Sequence, residues 1–192
     1  MDIKIPDSWL REHLTTKARP AQIAEYLSLC GPSVERVEKN LGDYVYHIEV
    51  TTNRSDSASV YGIAREAAAI LPRFKIAAEH KVLKPLIKPT KATNTLPLTI
   101  KCDIPEVRRV MAVVIDDVKT TQSPDWLKRR LEMSGLRSLN LLIDITNYVM
   151  LETGHPTHVF DYDRIKSREL IFRKSDRGEK LTSLEKKTYT LP

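Results

Sequence analysis

The chain has 192 residues, of which 41% are hydrophobic and 29% charged, with a mean hydropathy of -0.34. That is enough for one compact core or two small ones, and no uncharged run of about 18–20 apolar residues is present to span a membrane. Lys and Arg outnumber Asp and Glu by 31 to 25, giving a net charge of +6; this modest excess suits an acidic partner such as nucleic acid and equally an ordinary basic protein.

From the N-terminus, MDIKIPDSWLREHL scatters its charges and has no apolar centre, so it predicts no secretory leader and fits a cytoplasmic protein. Residues 2–5 alternate and predict a short strand. Asp7 or Ser8 then caps a helix through Trp9, Leu10 and Leu14. A second helix begins at Pro20, with Ile23, Leu27 and Cys30 on its apolar stripe and Tyr26 beside it; Gly31 suits a left-handed C-terminal cap. Residues 33–38 and 44–51 predict strands. Ser57 or Ser59 caps a third helix, Val60–Leu71, ended by Pro72. Residues 1 to about 78 are expected to form one small, mainly helical domain.

Residues 79–97 read as a basic linker, because Pro85, Pro89 and Pro97 oppose a helix or a central strand. Lys81, Lys84, Lys88, Lys91 and Lys101 follow one another with no acid between Glu79 and Asp103. They make a solvated, self-repelling tether or a phosphate-contacting strip. Residues 98–102 and 110–118 predict strands, the second rich in Val and Ile. Ser123-Pro124-Asp125 predicts a helix start, and Gly135 its stop. Trp126, Leu127, Leu131 and Met133 offer an apolar side, and Lys128, Arg129 and Arg130 a basic one. Residues 139–152 predict a helix or a strand-to-helix turn; 169–174 and 187–191 predict strands.

Cys30 and Cys102 lie far apart and form no C-x-x-C pair, which excludes a disulfide framework and a zinc ribbon; two buried, reduced thiols are expected. No G-x-x-x-x-G-K-[ST], G-x-G-x-x-G or H-E-x-x-H occurs, so no standard phosphate cradle or zinc helix is encoded. His155 and His158 flank Pro156 without an obvious third ligand, and no metal is expected.

The densest chemistry lies in residues 137–161, RSLNLLIDITNYVMLETGHPTHVFD. Arg137, Asn140, Asp144, Thr146, Asn147, His155, His158 and Asp161 crowd an apolar run. Each polar group that is buried there must find a partner or cost about 1–3 kcal/mol. So these side chains either cap and tie local structure or line a polar pocket able to hold a water against an ester carbonyl.

This segment resembles the signature of the bacterial phenylalanyl-tRNA synthetase beta subunit, in its editing domain. Arg137, Asn140, Asp144 through Glu152, Gly154, Pro156, His158, Phe160 and Asp161 match in order and spacing. Trp9-Leu10, Gly31 through Glu35, Thr51 through Asp56 and Gly62 through Glu66 extend the likeness. Leu141, His155 and Thr157 depart from the residues usual in the family. Many members insert a tRNA-binding domain where only Lys39–Asp43 connects the halves here. The resemblance implies an α+β chain: a small helical domain over 1–78, a linker over 79–97, and the first part of an editing domain over 98–192.

It further implies that the chain is a portion of a longer subunit that binds tRNA(Phe) and hydrolyses mischarged tyrosyl-tRNA(Phe), because discrimination at a synthetic site is finite. Thr146, Asn147 and His158 would form the editing pocket, Arg137 would hold the acceptor end, and Asn140 and Asp144 would be structural. Lys81, Lys84, Lys88, Lys91, Lys128, Arg129 and Arg130 would contact nucleic acid. The partner would be an alpha subunit, two of each in a heterotetramer, using ATP and Mg2+ for aminoacylation; no cofactor is expected in this chain. The isolated chain is expected to be inactive. A non-catalytic RNA-binding or assembly module and a free-standing deacylase are the alternative readings, to be separated by the reading frame beyond Pro192.

Overall fold

A computed structural model describes residues 1–83, 95–183 and 186–192. The fold is α+β. It divides into two compact units, one of residues 1–88 with 119–159, the other of 89–118 with 160–192. The contiguous division at 78 and 98 expected from sequence is therefore not the division observed. Residues 125–153 pack on the N-terminal residues because they supply it with apolar faces.

The larger unit is built on a three-stranded antiparallel sheet in the order β1-β4-β3, formed by β1 (Asp2–Pro6), β4 (Asp43–Glu49) and β3 (Ser33–Asn40). The register runs from Asp2 opposite Glu49 to Pro6 opposite Val45, and Ser33 also faces Glu49. Leu41 and Gly42 close the β3–β4 hairpin with φ of 48° and 82°. Two successive left-handed residues give the tight turn whose twist matches the strands. The connection at Lys39–Asp43 is thus a two-residue turn between paired strands, where many relatives were expected to carry an inserted domain. The strands expected over 2–5, 33–38 and 44–51 are the three that form this sheet.

Helix α1 (Asp7–His13) buries Trp9, Leu10 and His13. Pro6, not Asp7 or Ser8, holds its N-cap position. Asp7 lies in the first turn instead, where its carboxylate accepts from Arg11 Nε at 2.7 Å and the Tyr46 hydroxyl at 2.5 Å. Burial, and then this bond to Asp7, push the Tyr46 phenol well above its ordinary range. Leu14 leaves the helix for a short strand, β2 (Leu14–Thr16), which pairs with β5 (Ala78–His80). The stretch read as a linker therefore starts with a strand.

Helix α2 (Pro20–Cys30) starts at its proline, as expected. Gly31 is not left-handed, with φ of -144°. A Cβ there would come within 3.0 Å of Ile70 Cδ1, so a close approach to the next helix is what the glycine permits. Helix α3 (Val60–Ile70) is capped by Ser59, whose Oγ accepts from Gly62 N at 2.9 Å, and passes into a 3-10 turn, Leu71–Phe74. The core gathers Ile5, Trp9, Leu10, Leu14, Ile23, Leu27, Tyr46, Ile48, Ile63 and Leu71 from these elements.

Helices α4 (Asp125–Met133) and α5 (Leu141–Thr153) complete this unit. Pro124 is the N-cap residue of α4, and Gly135 ends it with φ of 83°. Leu127, Leu131 and Met133 are buried, whereas Trp126 is 54% exposed.

The smaller unit pairs β6 (Thr99–Cys102) in parallel with β7 (Glu169–Phe172), and β8 (Lys180–Thr182) in antiparallel with β9 (Thr188–Thr190). The strand expected over 110–118 is not formed. A Val- and Ile-rich sequence becomes a strand only with a hydrogen-bonding partner, and among the described residues it has none; Met111, Val113 and Ile115 are exposed. Both cysteines are exposed rather than buried. No helix among the described residues is long and apolar enough to cross a membrane.

Candidate functional site

Helix α5 and the segment after it carry most of the residues singled out from the sequence. The helix starts where Asn140 Oδ1 accepts from Ile143 N at 3.2 Å, and it ends at Gly154, left-handed with φ of 79°. Asp144 in its first turn is fully buried. Its carboxylate accepts from Ser123 Oγ at 2.5 Å, Ser138 Oγ at 2.5 Å and Leu139 N at 2.9 Å. Burial opposes its ionisation. The three hydrogen bonds and the charge of Lys128 outweigh that, so the carboxyl is held below its usual range. Ser123, the first residue of the expected helix start, ties α5 to the chain ahead of α4. Asn140 and Asp144 are structural, as the sequence suggested.

Thr146 lies two residues further along the helix. Its hydroxyl donates to Ile143 O at 2.7 Å, and its carbonyl accepts from Thr157 Oγ1 at 3.3 Å. The second bond folds the segment after Gly154 back against α5, next to His158. Asn147 is half-buried on α5, and His158 and Arg137 are exposed on non-helical segments. Thus Thr146 and Asn147 share a helix, and the residue beside His158 touches it. Arg137 stands on the far side of the Asn140 cap in sequence, in the loop between α4 and α5.

The basic residues have local partners. Lys81 Nζ donates to Arg11 O at 3.0 Å, Lys128 Nζ lies 3.8 Å from Asp125, and Arg129 donates to Leu41 O. Lys84, Lys88 and Lys91 lie outside the described residues. Arg130 is the least available: its guanidinium pairs with Glu12, donates to Tyr148 Oη at 3.2 Å, and stands 5.3–6.0 Å from the ring centres of Trp9, Trp126 and Tyr148. That placement opposes the phosphate-contacting role read from its sequence run.

Arg130 belongs to a polar cluster that sequence reasoning missed. Tyr148 stacks on Trp9, with centroids 4.7 Å apart and planes 15° apart, and meets Trp126 edge-on. Its hydroxyl donates to Glu152 Oε1 at 3.1 Å, and His13 Nε2 lies 3.0 Å from the same oxygen. Burial raises the Tyr148 phenol to about 12. Burial also works against the Glu152 carboxylate, but bonds from His13 and Tyr148 prevail and hold it low. The Trp9 indole N–H makes no bond of ordinary geometry, yet it is close enough to favour that ionised form. The only hint in the sequence is Tyr148 and Glu152 at i and i+4, on one helix face.

Among the described residues, one concavity borders this cluster, sharing Trp126 and Arg130 with it, and another lies apart from it. The first, of about 300 Å³, is lined by Ser8, Asp43, Trp126, Arg129, Arg130 and Met133. The other, of about 720 Å³, lies between α2 and the sheet. Among the described residues, no three or more His, Cys, Asp or Glu are gathered as a metal site.

Residues 106–192 match the family model of the B3/4 domain. The phenylalanine–tRNA ligase beta subunit of Carboxydothermus hydrogenoformans is 40% identical over 158 residues, covering 80% of this chain and 19% of that protein. The corresponding subunit of Neisseria gonorrhoeae is 40% identical over 154 residues, covering 79% and 19%. An N-terminal fragment of the phenylalanyl-tRNA synthetase beta subunit from Pyrococcus horikoshii covers 100% of this chain and 50% of its own, with a TM-score of 0.40 and 15% identity. The chain spans about a fifth of the length of the curated relatives it matches.

Proposed function

We propose that this chain, a relative of the phenylalanine–tRNA ligase beta subunits that carries the B3/4 domain over residues 106–192, works within such a ligase to bind tRNA(Phe) and to remove tyrosine wrongly attached to it. The observation that supports this most directly is the bond from Thr157 to the carbonyl of Thr146, which brings the segment bearing His158 against α5. Asn147 and His158 then offer amide and imidazole groups on the two segments joined by that bond, and the Thr146 oxygen, its proton given to Ile143 O, can still accept. His158 positions the ester or the attacking water. Asn147 offers a donor and an acceptor to the aminoacyl group. Arg137, exposed in the loop ahead of the helix, binds the phosphates of the acceptor end. Lys81, Lys128 and Arg129 add an electrostatic surface that is not specific for sequence.

Aminoacylation falls to a partner alpha subunit. The reading assigns ATP and its magnesium to that subunit, and the sequence here carries neither of the two standard glycine-rich phosphate motifs. The test is the assembled ligase with His158→Ala. Tyrosyl-tRNA(Phe) should accumulate while phenylalanine charging changes less than about 2-fold, because the residue acts only after charging. Proofreading at the normal rate in that variant would reject the pocket.

A further inference from the structure

We infer that Arg130 is a positioning residue for α5 rather than a phosphate contact, and that through it helix α1 forms part of the support of the editing surface. The inference rests on the function proposed above only for the catalytic half of its test. Its basis is geometry. Three aromatic rings from three places in the chain, Trp9 on α1, Trp126 on α4 and Tyr148 on α5, surround one guanidinium. That guanidinium also pairs with Glu12 on α1 and donates to the Tyr148 hydroxyl. From there the chain of bonds runs through Glu152 on α5 to His13 on α1. Its two ends therefore fasten one face of α5 to α1 at Tyr148 and Glu152, one turn apart.

Thr146 and Asn147 directly precede Tyr148 on that helix. A rotation of α5 about its axis would move all three together, and catalytic groups held even 1 Å out of place lose much of their effect. A planar, delocalised cation fits the arrangement, since its fork of N–H donors reaches Glu12 and the Tyr148 hydroxyl at once while it lies 5.3–6.0 Å from three ring centres. A lysine would carry the same charge to a phosphate, but its compact ammonium lacks the rigid fork that holds Glu12 and the Tyr148 hydroxyl together. Arg130→Lys therefore separates the two roles.

In the 192-residue chain, Arg130→Lys should speed hydrogen exchange of the α5 amides around 146–150 by about 10-fold, with those of α3 and β4 unchanged. Tyr148→Phe keeps the stack and removes the bonds to Arg130 and Glu152, so it should give a smaller increase at the same amides. Binding of tRNA(Phe), and its dependence on salt, should match wild type in both. In the assembled ligase, Arg130→Lys should lower kcat for hydrolysis of tyrosyl-tRNA(Phe) with KM unchanged, and Tyr148→Phe should retain more activity. Wild-type exchange in α5, or a loss of tRNA affinity in Arg130→Lys, would overturn the inference. Faster exchange with unaltered kcat would overturn the positioning role, provided His158→Ala abolishes hydrolysis. If His158→Ala leaves hydrolysis intact, the functional reading fails by itself and exchange alone decides whether Arg130 holds α5.

Discussion

Asp144 shows how one side chain sets the terms for its neighbours. It is buried, ionised and satisfied by two hydroxyls and a backbone N–H. Asp144→Asn keeps the shape but makes an acceptor-only group half donor, so at least one of the three partners is left facing an N–H. Bonds to a charged group are the strong ones. The expected loss is about 3 kcal/mol, read from urea denaturation at neutral pH. The sign of the pH dependence follows from the lowered carboxyl. The folded protein binds this proton less readily than the unfolded chain. The stabilisation is therefore complete above the ordinary carboxylate value and is lost as pH falls through the lower, folded one. Glu152 acts in the same direction. Asp144→Asn should accordingly flatten the acid side of the stability profile; an unchanged profile would mean the group is not ionised in the fold. Gly62 is a second single-residue constraint. A Cβ there would lie 2.3 Å from Asp56 O, a backbone atom that cannot step aside alone, so Gly62→Ala should lower the thermal midpoint despite a gain in helix propensity.

At the scale of elements, α3 and α5 use the same device at their starts. Ser59 and Asn140 each accept from a backbone N–H three residues on. Ser59→Ala and Asn140→Ala should each cost about 1 kcal/mol in chemical denaturation. They should differ in consequence. Ser59 caps a helix whose face forms the main core. Asn140 caps the helix that bears Thr146 and Asn147, so its loss should also reduce hydrolysis in the assembled ligase. The cap of α3 was legible in the sequence as one of two serines, Ser57 or Ser59, whereas Asn140 was marked there only as structural. The cap of α1 was not legible. Asp7 has the right chemistry, but burial beside Arg11 and Tyr46 claims its carboxylate, and Pro6 is left at the cap position. The strand expected over 110–118 failed for a different reason: propensity is local, and pairing is not.

For the chain as a whole, exposure matters more than motif. His158 and Arg137 stand open to solvent, and the Thr146 hydroxyl is committed to a helix carbonyl. Hydrolysis by preorganised groups needs a site that excludes water and holds its donors still. We therefore expect the 192-residue chain alone to show no multiple-turnover hydrolysis of tyrosyl-tRNA(Phe) above a no-protein control. Turnover abolished by His158→Ala would show that these residues suffice, and would favour a free-standing deacylase. Its tRNA binding should be weak and should fall steeply between low and moderate salt, because counterion release drives it. An affinity flat across that range would remove Lys81, Lys128 and Arg129 from the interface.

The sequence by itself determined the helices over 20–30, 60–70 and 125–133, the strands with strong alternation, and the family likeness, because periodicity, caps and motif spacing are written in neighbouring residues; over 139–152 it left a helix and a strand-to-helix turn open, and the structure has the helix. It also marked Asn140 and Asp144 as structural. Only the tertiary structure decided that residues 119–159 pack with the N-terminal unit, that Gly31 serves a close approach, and that Arg130 lies among three rings. Those outcomes depend on which residues meet at a distance along the chain, as Gly31 meets Ile70 and Arg130 meets Glu12. A run such as Lys128-Arg129-Arg130 records charge, but not which of its members another element will bury.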